Sequence, residues 1–339
     1  MTLHEFYRRL PVVVCITLIF QVCGGNTNAQ DTAAATPLML ATWFGTGAIA
    51  LPAGQGWKPE MLTVYDKGTR PVAQFKKGTT GMTASFILFE NRSGKPTAQG
   101  CREDVVTPIV EHDAKLISKR VDGDSNAGGG EVLATTSFLI DMSLAGGKHQ
   151  HNLFGFAGDA KTCAEIHIST VIDTAGADDE MKAVLADFHP DLSYTPTAID
   201  YFKLASVLFK NAPELAAPYY KSSLDAMPKD ASFNTPRRVT TDQLVMSLGM
   251  SGDIKNSRAV AEMAIAADPD YPINYYNLAC ADAEQGNAAQ AKTHLQEGFD
   301  RRANVLKGEL MPDPTKDDSI LKLKKNKEFW EFVQTLKKN

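Results

Sequence analysis

The chain lacks the short motifs that mark most enzymes. Its 5 cysteines include no C-x-x-C pair, which excludes thioredoxin-type redox chemistry. The stretch LGMSGD is one residue short of the G-x-S-x-G nucleophile turn, and neither SGKP nor GGKH has the flanking residues of a phosphate loop. The sequence therefore predicts no catalytic residue and no cofactor.

Basic charge and long apolar runs are also scarce. The formal net charge of −5 leaves no electrostatic footprint for nucleic acid. The basic stretch KLKKNKEFW (322–330) is a local exception, but apolar residues recur there at helical spacing, which predicts the solvated face of a terminal helix. We expect neither a nucleic-acid partner nor stable insertion into a membrane.

The N-terminus has the pattern of a secretory signal peptide. Arg8 and Arg9 precede an apolar stretch, residues 10–22, that is shorter than the roughly 18 to 20 residues of a membrane span. A polar region follows and ends Thr-Asn-Ala at Ala29. We expect residues 1–29 to be removed and the mature protein to be secreted or periplasmic.

Removal of the signal peptide leaves Cys101, Cys163 and Cys280. Export places these thiols in an oxidising compartment, where two well-placed cysteines tend to pair. Cys280 lies in the middle of a predicted helix among small apolar residues, as a buried small hydrophobic residue does. The sequence therefore predicts a Cys101–Cys163 disulfide that staples a helix to a strand.

Short apolar runs separated by turn residues fill the first half, from about residue 38 to 171, and predict strands. Two predicted helices interrupt them: one from Thr97 through CREDVVTPIVEHDAKLI, which Pro108 is expected to bend or split, and one at residues 178–188. This pattern predicts an α+β sandwich at residues 36–190, with both helices on one face of an antiparallel sheet.

A 34-residue repeat follows, because Arg238–Tyr271 and Pro272–Val305 align without a gap. The second copy resembles the tetratricopeptide repeat (TPR) at Tyr275, Leu278, Ala279, Gly286, Ala291, Leu295 and Gly298. It departs from that family at Asp282, where tyrosine is usual, and in lacking the final proline.

Residues 201–230 form a more degenerate third unit, and an amphipathic helix at the C-terminus is expected to cap the last one. The resemblance implies an all-α TPR solenoid domain at residues 197–339. A polar, proline-containing connector at residues 191–197 marks the domain boundary.

The first half resembles the DcrB/PsbP-like sandwich of exported bacterial proteins. The likeness lies in the order of elements: a signal peptide, strands, a helix that carries a cysteine, further strands ending CAEIHIS, and a closing helix. It implies a non-catalytic binding or accessory module, and no individual residue transfers with it.

The TPR resemblance also implies where a partner binds, since the first helix of each unit lines a concave groove in that family. The corresponding residues are Asp242, Met246, Tyr276, Asn277 and Cys280. No lysine pair is present to clamp a terminal carboxylate, so we expect an internal or apolar protein segment as partner. The alternative is that Met246 and Tyr276 pack against a neighbouring unit or the sandwich domain.

A second hypothesis is a metal-dependent or otherwise catalytic sandwich carried by the repeats. His149 and His151 share one face of a predicted strand, and His167 lies on the returning strand of the same hairpin. Against this, the alternation of His167 with isoleucines predicts a solvent-facing side chain. Acidic and cysteine ligands at matching spacing are also missing.

Overall fold

The computed structural model describes residues 38–42, 46–52, 56–65, 70–78, 80–126, 130, 132–142, 148–171 and 176–336. The predicted signal peptide lies outside these ranges. The described residues divide into two compact units, one within Pro37–Leu208 and one from Phe209 onward. This division lies one helix beyond the connector that the sequence indicated at residues 191–197.

The first unit is an α+β domain with two antiparallel sheets. Its strands are β1 (Met39–Ala41), β2 (Ala48–Ala50), β3 (Trp57–Tyr65), β4 (Arg70–Lys77), β5 (Thr83–Glu90), β6 (Ile117–Asn126), β7 (Val132–Met142), β8 (Lys148–Gly158), β9 (Thr162–Thr170) and β10 (Pro190–Asp191). Its helices are α1 (Ala98–His112), α2 (Ala177–Ala186) and α3 (Ala198–Phe209). The larger sheet has the order β3-β4-β5-β9-β8-β7-β6, and the smaller has the order β1-β2-β10.

Alternate residues of the central strand β9 face opposite sides of the large sheet. Cys163 on one side is bonded to α1. Ile166, on the other side, pairs with Gly155 of β8, and a Cβ placed on Gly155 would collide with Leu185 of α2. The two helices therefore cover opposite faces, and the expectation that both lie on one face is wrong.

The predicted disulfide between Cys101 and Cys163 is confirmed, with their Cα atoms 5.7 Å apart. Both cysteines are buried in an aromatic cluster beneath α1. Gly158 makes room for the bridge, because a Cβ at this position would overlap the Cys101 sulfur and lie 3.0 Å from the Thr97 carbonyl oxygen. Cys280 is free, as expected.

Helix α1 is continuous through Pro108, so Pro108 does not split it. Its start was predicted correctly: the Thr97 hydroxyl caps it by accepting a hydrogen bond of 3.1 Å from the Gly100 N–H.

The second unit is all-helical in its described residues. It contains α4 (Pro213–Ala226), α5 (Asn234–Met250), α6 (Ile254–Ala267), α7 (Pro272–Glu284), α8 (Ala288–Asp300), α9 (Asp318–Leu321) and α10 (Lys327–Leu336), with single 3-10 turns at Ala231–Phe233 and Arg302–Asn304. An α+β antiparallel domain followed by an all-α domain confirms the predicted fold class. No helix in the described residues is long and apolar enough to cross a membrane.

The α5–α6 and α7–α8 hairpins repeat each other at the turn and at the start of the second helix. Their second helices start at Ile254 and Ala288, 34 positions apart. Both hairpins turn at a left-handed glycine, Gly252 with φ 83° and Gly286 with φ 78°, a conformation that other residues adopt only with strain. The degenerate unit at 201–230 corresponds instead to α3 and α4, which fall in different compact units.

Small residues bring α7 and α8 close together. Ala279 and Ala291 are fully buried at the crossing. A Cβ on Gly298 of α8 would lie only 3.2 Å from the Pro272 carbonyl oxygen. The backbones can therefore approach at a distance that larger side chains would prevent.

A buried carboxylate, Asp282, joins three helices of the two hairpins. It is 0% exposed and lies on α7, at the position where the resemblance expects a tyrosine. It accepts hydrogen bonds from Arg258 of α6 and, at 2.6 Å, from Nδ1 of His294 of α8. Because a buried charge needs such partners, this cluster fixes how the hairpins stack.

We predict that Asp282→Ala lowers the free energy of unfolding by roughly 2 to 4 kcal/mol, since it leaves two polar side chains without their buried acceptor. Urea denaturation measures the loss. Asp300→Ala, which removes an exposed acid from α8, should change stability by no more than about 0.5 kcal/mol. Equal effects of the two substitutions would contradict the assignment.

Candidate functional site

Helix α7 has no solvent-facing side. Of its 13 residues, 11 are buried, and the other two, Cys280 and Glu284, are partly buried. A surface helix ordinarily keeps a polar stripe in water. Some part of the chain must therefore cover the face that the TPR resemblance assigns to a partner.

The cover is the chain's own return segment, which we define as residues 306–322. Near its start, Glu309 Oε1 accepts a hydrogen bond of 2.8 Å from the Tyr271 hydroxyl. Further along, the Cys280 thiol donates to Asp317 Oδ1 at 3.7 Å, and Ser319 Oγ donates to Glu284 Oε1 at 2.7 Å. The return segment thus follows α7 from its first turn to its last.

Apolar contacts reinforce these polar ones. Ile320 is fully buried in the cluster that contains Tyr276, and Met311 packs against the same cluster. The same cluster continues between α8 and α10, with members Ala279, Ala283, Ala291, Leu295, Phe299, Phe329, Val333 and Leu336. The terminal helix covers the end of the last hairpin as predicted, although α9 and α10 replace the single helix that was expected.

This arrangement corrects the expectation that all five predicted contact residues line an open groove. Tyr276 is 2% exposed and belongs to the cluster against which Met311 packs, and Asn277 is 9% exposed. Asp242, Met246 and Cys280 are partly exposed. The Asn277 amide donates to Asp242 Oδ1 at 2.8 Å, so this pair connects α7 to α5.

Acidic groups surround the covered face. Burial raises the pKa of Asp242 to about 6, and the charge of Glu309 adds to the rise, whereas hydrogen bonds from Asn277 and Gln243 oppose it. Burial also raises the pKa of Asp317, and it raises the pKa of Cys280 well above its usual value. Cys280 is therefore a protonated thiol rather than a nucleophile at neutral pH.

The three histidines of the metal hypothesis do not converge on one point. The imidazole of His167 pairs with the side chain of Asn152 at 2.9 Å, whereas His151 alternates with Asn152 along β8 and faces the opposite side of the sheet, 3.0 Å from Asp178. His149 shares the face of His151. Within the described ranges no group of three or more potential ligands is placed to hold a metal ion.

The alternation of His167 with isoleucines predicted a solvent-facing side chain, and this prediction is wrong. The His167 ring stacks on Phe154, with centroids 4.1 Å apart, and burial lowers its pKa to about 4. Glu165, two residues earlier on the same face, was missed by the sequence reasoning. Burial raises the pKa of Glu165 to about 7 against the opposing charge of Arg70. A lone acid within the apolar run CAEIHIS was the available signal.

Comparison with known proteins gives no family. No protein-family model and no curated protein matches the chain. Among solved structures, it is similar to cyanobacterial PsbP (CyanoP) from Synechocystis sp. PCC 6803, with 15% identity, a TM-score of 0.31, and coverage of 49% of this chain and 98% of that one. It is also similar to a crystal structure from Bacteroides thetaiotaomicron VPI-5482, with 8% identity, a TM-score of 0.30, and coverage of 62% and 78%. Likeness at these TM-scores assigns neither family nor function.

We predict that Asp242→Asn stabilises the protein at neutral pH. The carboxyl has a folded-state pKa of about 6 against an ordinary 3.8, so the folded protein holds its proton more tightly. The contribution of Asp242 to stability therefore falls as pH rises from about 4 to 6. The asparagine can still accept the Asn277 hydrogen bond.

Urea denaturation from pH 4 to 8 tests this prediction. The substitution should raise the free energy of unfolding by roughly 1 to 3 kcal/mol at pH 7 and have little effect at pH 4, where the folded carboxyl is already protonated. If the free energy of unfolding of the two proteins differed by the same amount at every pH, ionisation of Asp242 would not destabilise the folded protein.

Proposed function

We propose that this protein is an exported, non-enzymatic interaction module whose helical hairpins are tetratricopeptide repeats and hold a protein segment. The observation that carries the proposal is that one helical hairpin recurs after 34 residues, counted at its turn and at the start of its second helix. The turn glycine recurs at Gly252 and Gly286 with nearly equal φ, and the second helices begin in the same register. Such stacks act as scaffolds that present first-helix side chains to a partner.

The partner surface starts on α5. Asp242 and Met246 lie one helical turn apart and are both partly exposed, unlike Tyr276 of α7. A methionine provides an adaptable apolar contact, and a carboxylate accepts hydrogen bonds from an extended backbone. These two side chains fit an internal, partly apolar segment of a protein better than a free acidic C-terminus.

Export rests on two features of the chain. The first is the signal-peptide pattern of residues 1–29, and the second is the Cys101–Cys163 disulfide, a bond typical of oxidising compartments. The sandwich unit, by its DcrB/PsbP-like order of elements, would serve as a second binding or docking surface. The catalytic alternative is weaker, because the histidines it relied on face opposite sides of the sheet.

We predict that Met246→Ala reduces partner capture about tenfold, as loss of a central apolar contact does. The measurement is crosslinking and pull-down from the native envelope, quantified for each variant. Met263→Ala is the matched control, since Met263 lies on α6 and is 72% exposed, away from the first helices.

Both methionine variants should keep the thermal midpoint of the wild-type protein. Equal capture by the two variants would refute the proposed surface. Tyr276→Ala is unsuitable for this test, because removal of a buried aromatic side chain costs roughly 3 to 5 kcal/mol and would confound binding with unfolding.

A further inference from the structure

The first part of the return segment, residues 306–316, is held differently from the rest of the second unit. Two backbone hydrogen bonds close turns inside it, from Glu309 to Leu306 and from Lys316 to Asp313. Its described contacts with α7 run through side chains. Leu310 is 85% exposed although it is apolar. A segment with this construction opens locally more easily than a packed helix.

Side chains between Glu309 and Pro314 hold this segment in place, and Pro314 itself is buried. Glu309 binds the Tyr271 hydroxyl, and Met311, two residues later, packs on the cluster that contains Tyr276. Asp317 belongs to the next part of the chain, because it caps α9 by accepting from the N–H groups of Ser319 and Ile320 at 3.0 and 3.1 Å. Residues 306–316 can therefore leave α7 without removing the cap of α9.

The closed arrangement also contains a repulsion. The charge of Glu309 lies close enough to the Asp242 carboxyl to disfavour its ionisation and raise its pKa. The lysines of residues 306–316, Lys307 and Lys316, are both exposed. Closure of the segment is favoured by the hydrogen bond of Glu309, the packing of Met311 and the burial of Pro314, and it is opposed by the nearby acid Asp242.

We propose that the covered face of α7 is a binding surface for an extended segment with a carboxylate and, two residues later, an unbranched apolar side chain, and that residues 306–316 occupy it as an exchangeable internal ligand. The proposal rests on the proposed function, since a partner of this chemistry would displace the internal segment and extend its contacts onto α5. We expect helix α10 to stay in place after release, because it contacts α8 directly and Phe329 and Val333 share a buried cluster with Ala291, Leu295 and Phe299 of that helix.

The intramolecular position gives the internal ligand an advantage. A tethered segment acts at an effective concentration in the millimolar range, so a free competitor of equal intrinsic affinity binds the intact chain much more weakly than a chain without the segment. Removing the competition should therefore expose a site that a synthetic copy of the segment can fill.

The test uses the full chain with residues 307–316 replaced by a glycine–serine linker of equal length, and a fluorescent peptide LKGELMPDPTK, which copies residues 306–316. We expect the peptide to bind this variant at least tenfold more tightly than it binds the wild-type chain. A peptide carrying Glu309→Gln and Met311→Ala should lose at least fivefold in affinity, whereas Lys307→Gln should leave it unchanged.

A second variant guards against misfolding of the linker chain. Glu309→Gln with Met311→Ala in the otherwise intact chain should also bind the wild-type peptide more tightly than the wild-type chain does. Equal peptide binding by all folded chains, or unfolding of both variants as judged by circular dichroism, overturns the inference, because the segment would then be a fixed part of the core. Neither of these results changes the expected effect of Met246→Ala on partner capture, so the proposed function is tested separately.

Discussion

Burial of α7 on every side is the constraint on which the second unit depends. Each neighbouring helix packs against α7 through different contacts. Helix α8 packs through small residues at the crossing, α5 through the Asn277–Asp242 hydrogen bond, and α6 and α8 together through Asp282. The fourth side is covered by the return segment. Because polar groups lie inside this packing, each needs its partner, and together these partners allow one arrangement of the hairpins.

The first unit is organised by a covalent bond rather than by repetition. The Cys101–Cys163 disulfide holds α1 against β9, and Gly158 leaves room for the sulfur atoms. Glu165 and His167 occupy the same face of β9, and burial disfavours the charged form of both. The sheet therefore tolerates two titratable groups in its interior by keeping them neutral over part of the physiological pH range.

Local patterns predicted the parts of this fold that depend on neighbours in the sequence. The repeat, its turn glycines and the start of α1 follow from such patterns, whereas the cysteine pairing followed from the export signal and the helical setting of Cys280. Strand β6 was missed because it is an edge strand exposed on both faces, so its residues ISKRVDGDSN show no alternation. A bulge around Lys119, which has φ 52°, disturbs its register further.

The covering of α7 and the placement of α1 and α2 depend on tertiary packing and could not be predicted from the sequence. The residues of α7 have the composition of a groove helix, and nothing in their spacing shows that a segment some 30 residues later returns to cover Tyr276. The placement of α1 and α2 on opposite faces likewise depends on which strand residues they meet. The candidate site thus shifted from α7 to the exposed side chains Asp242 and Met246 of α5.

The central claim is that α7 is covered by an exchangeable part of its own chain, and native-state hydrogen exchange of the intact protein tests it most directly. Amides of residues 309–316 should exchange at least about 100-fold faster than those of α7 and α10, because their opening does not require the hairpins to unfold. Exchange of this segment as slow as that of α7 would show that it opens only with the whole unit, which would contradict the account.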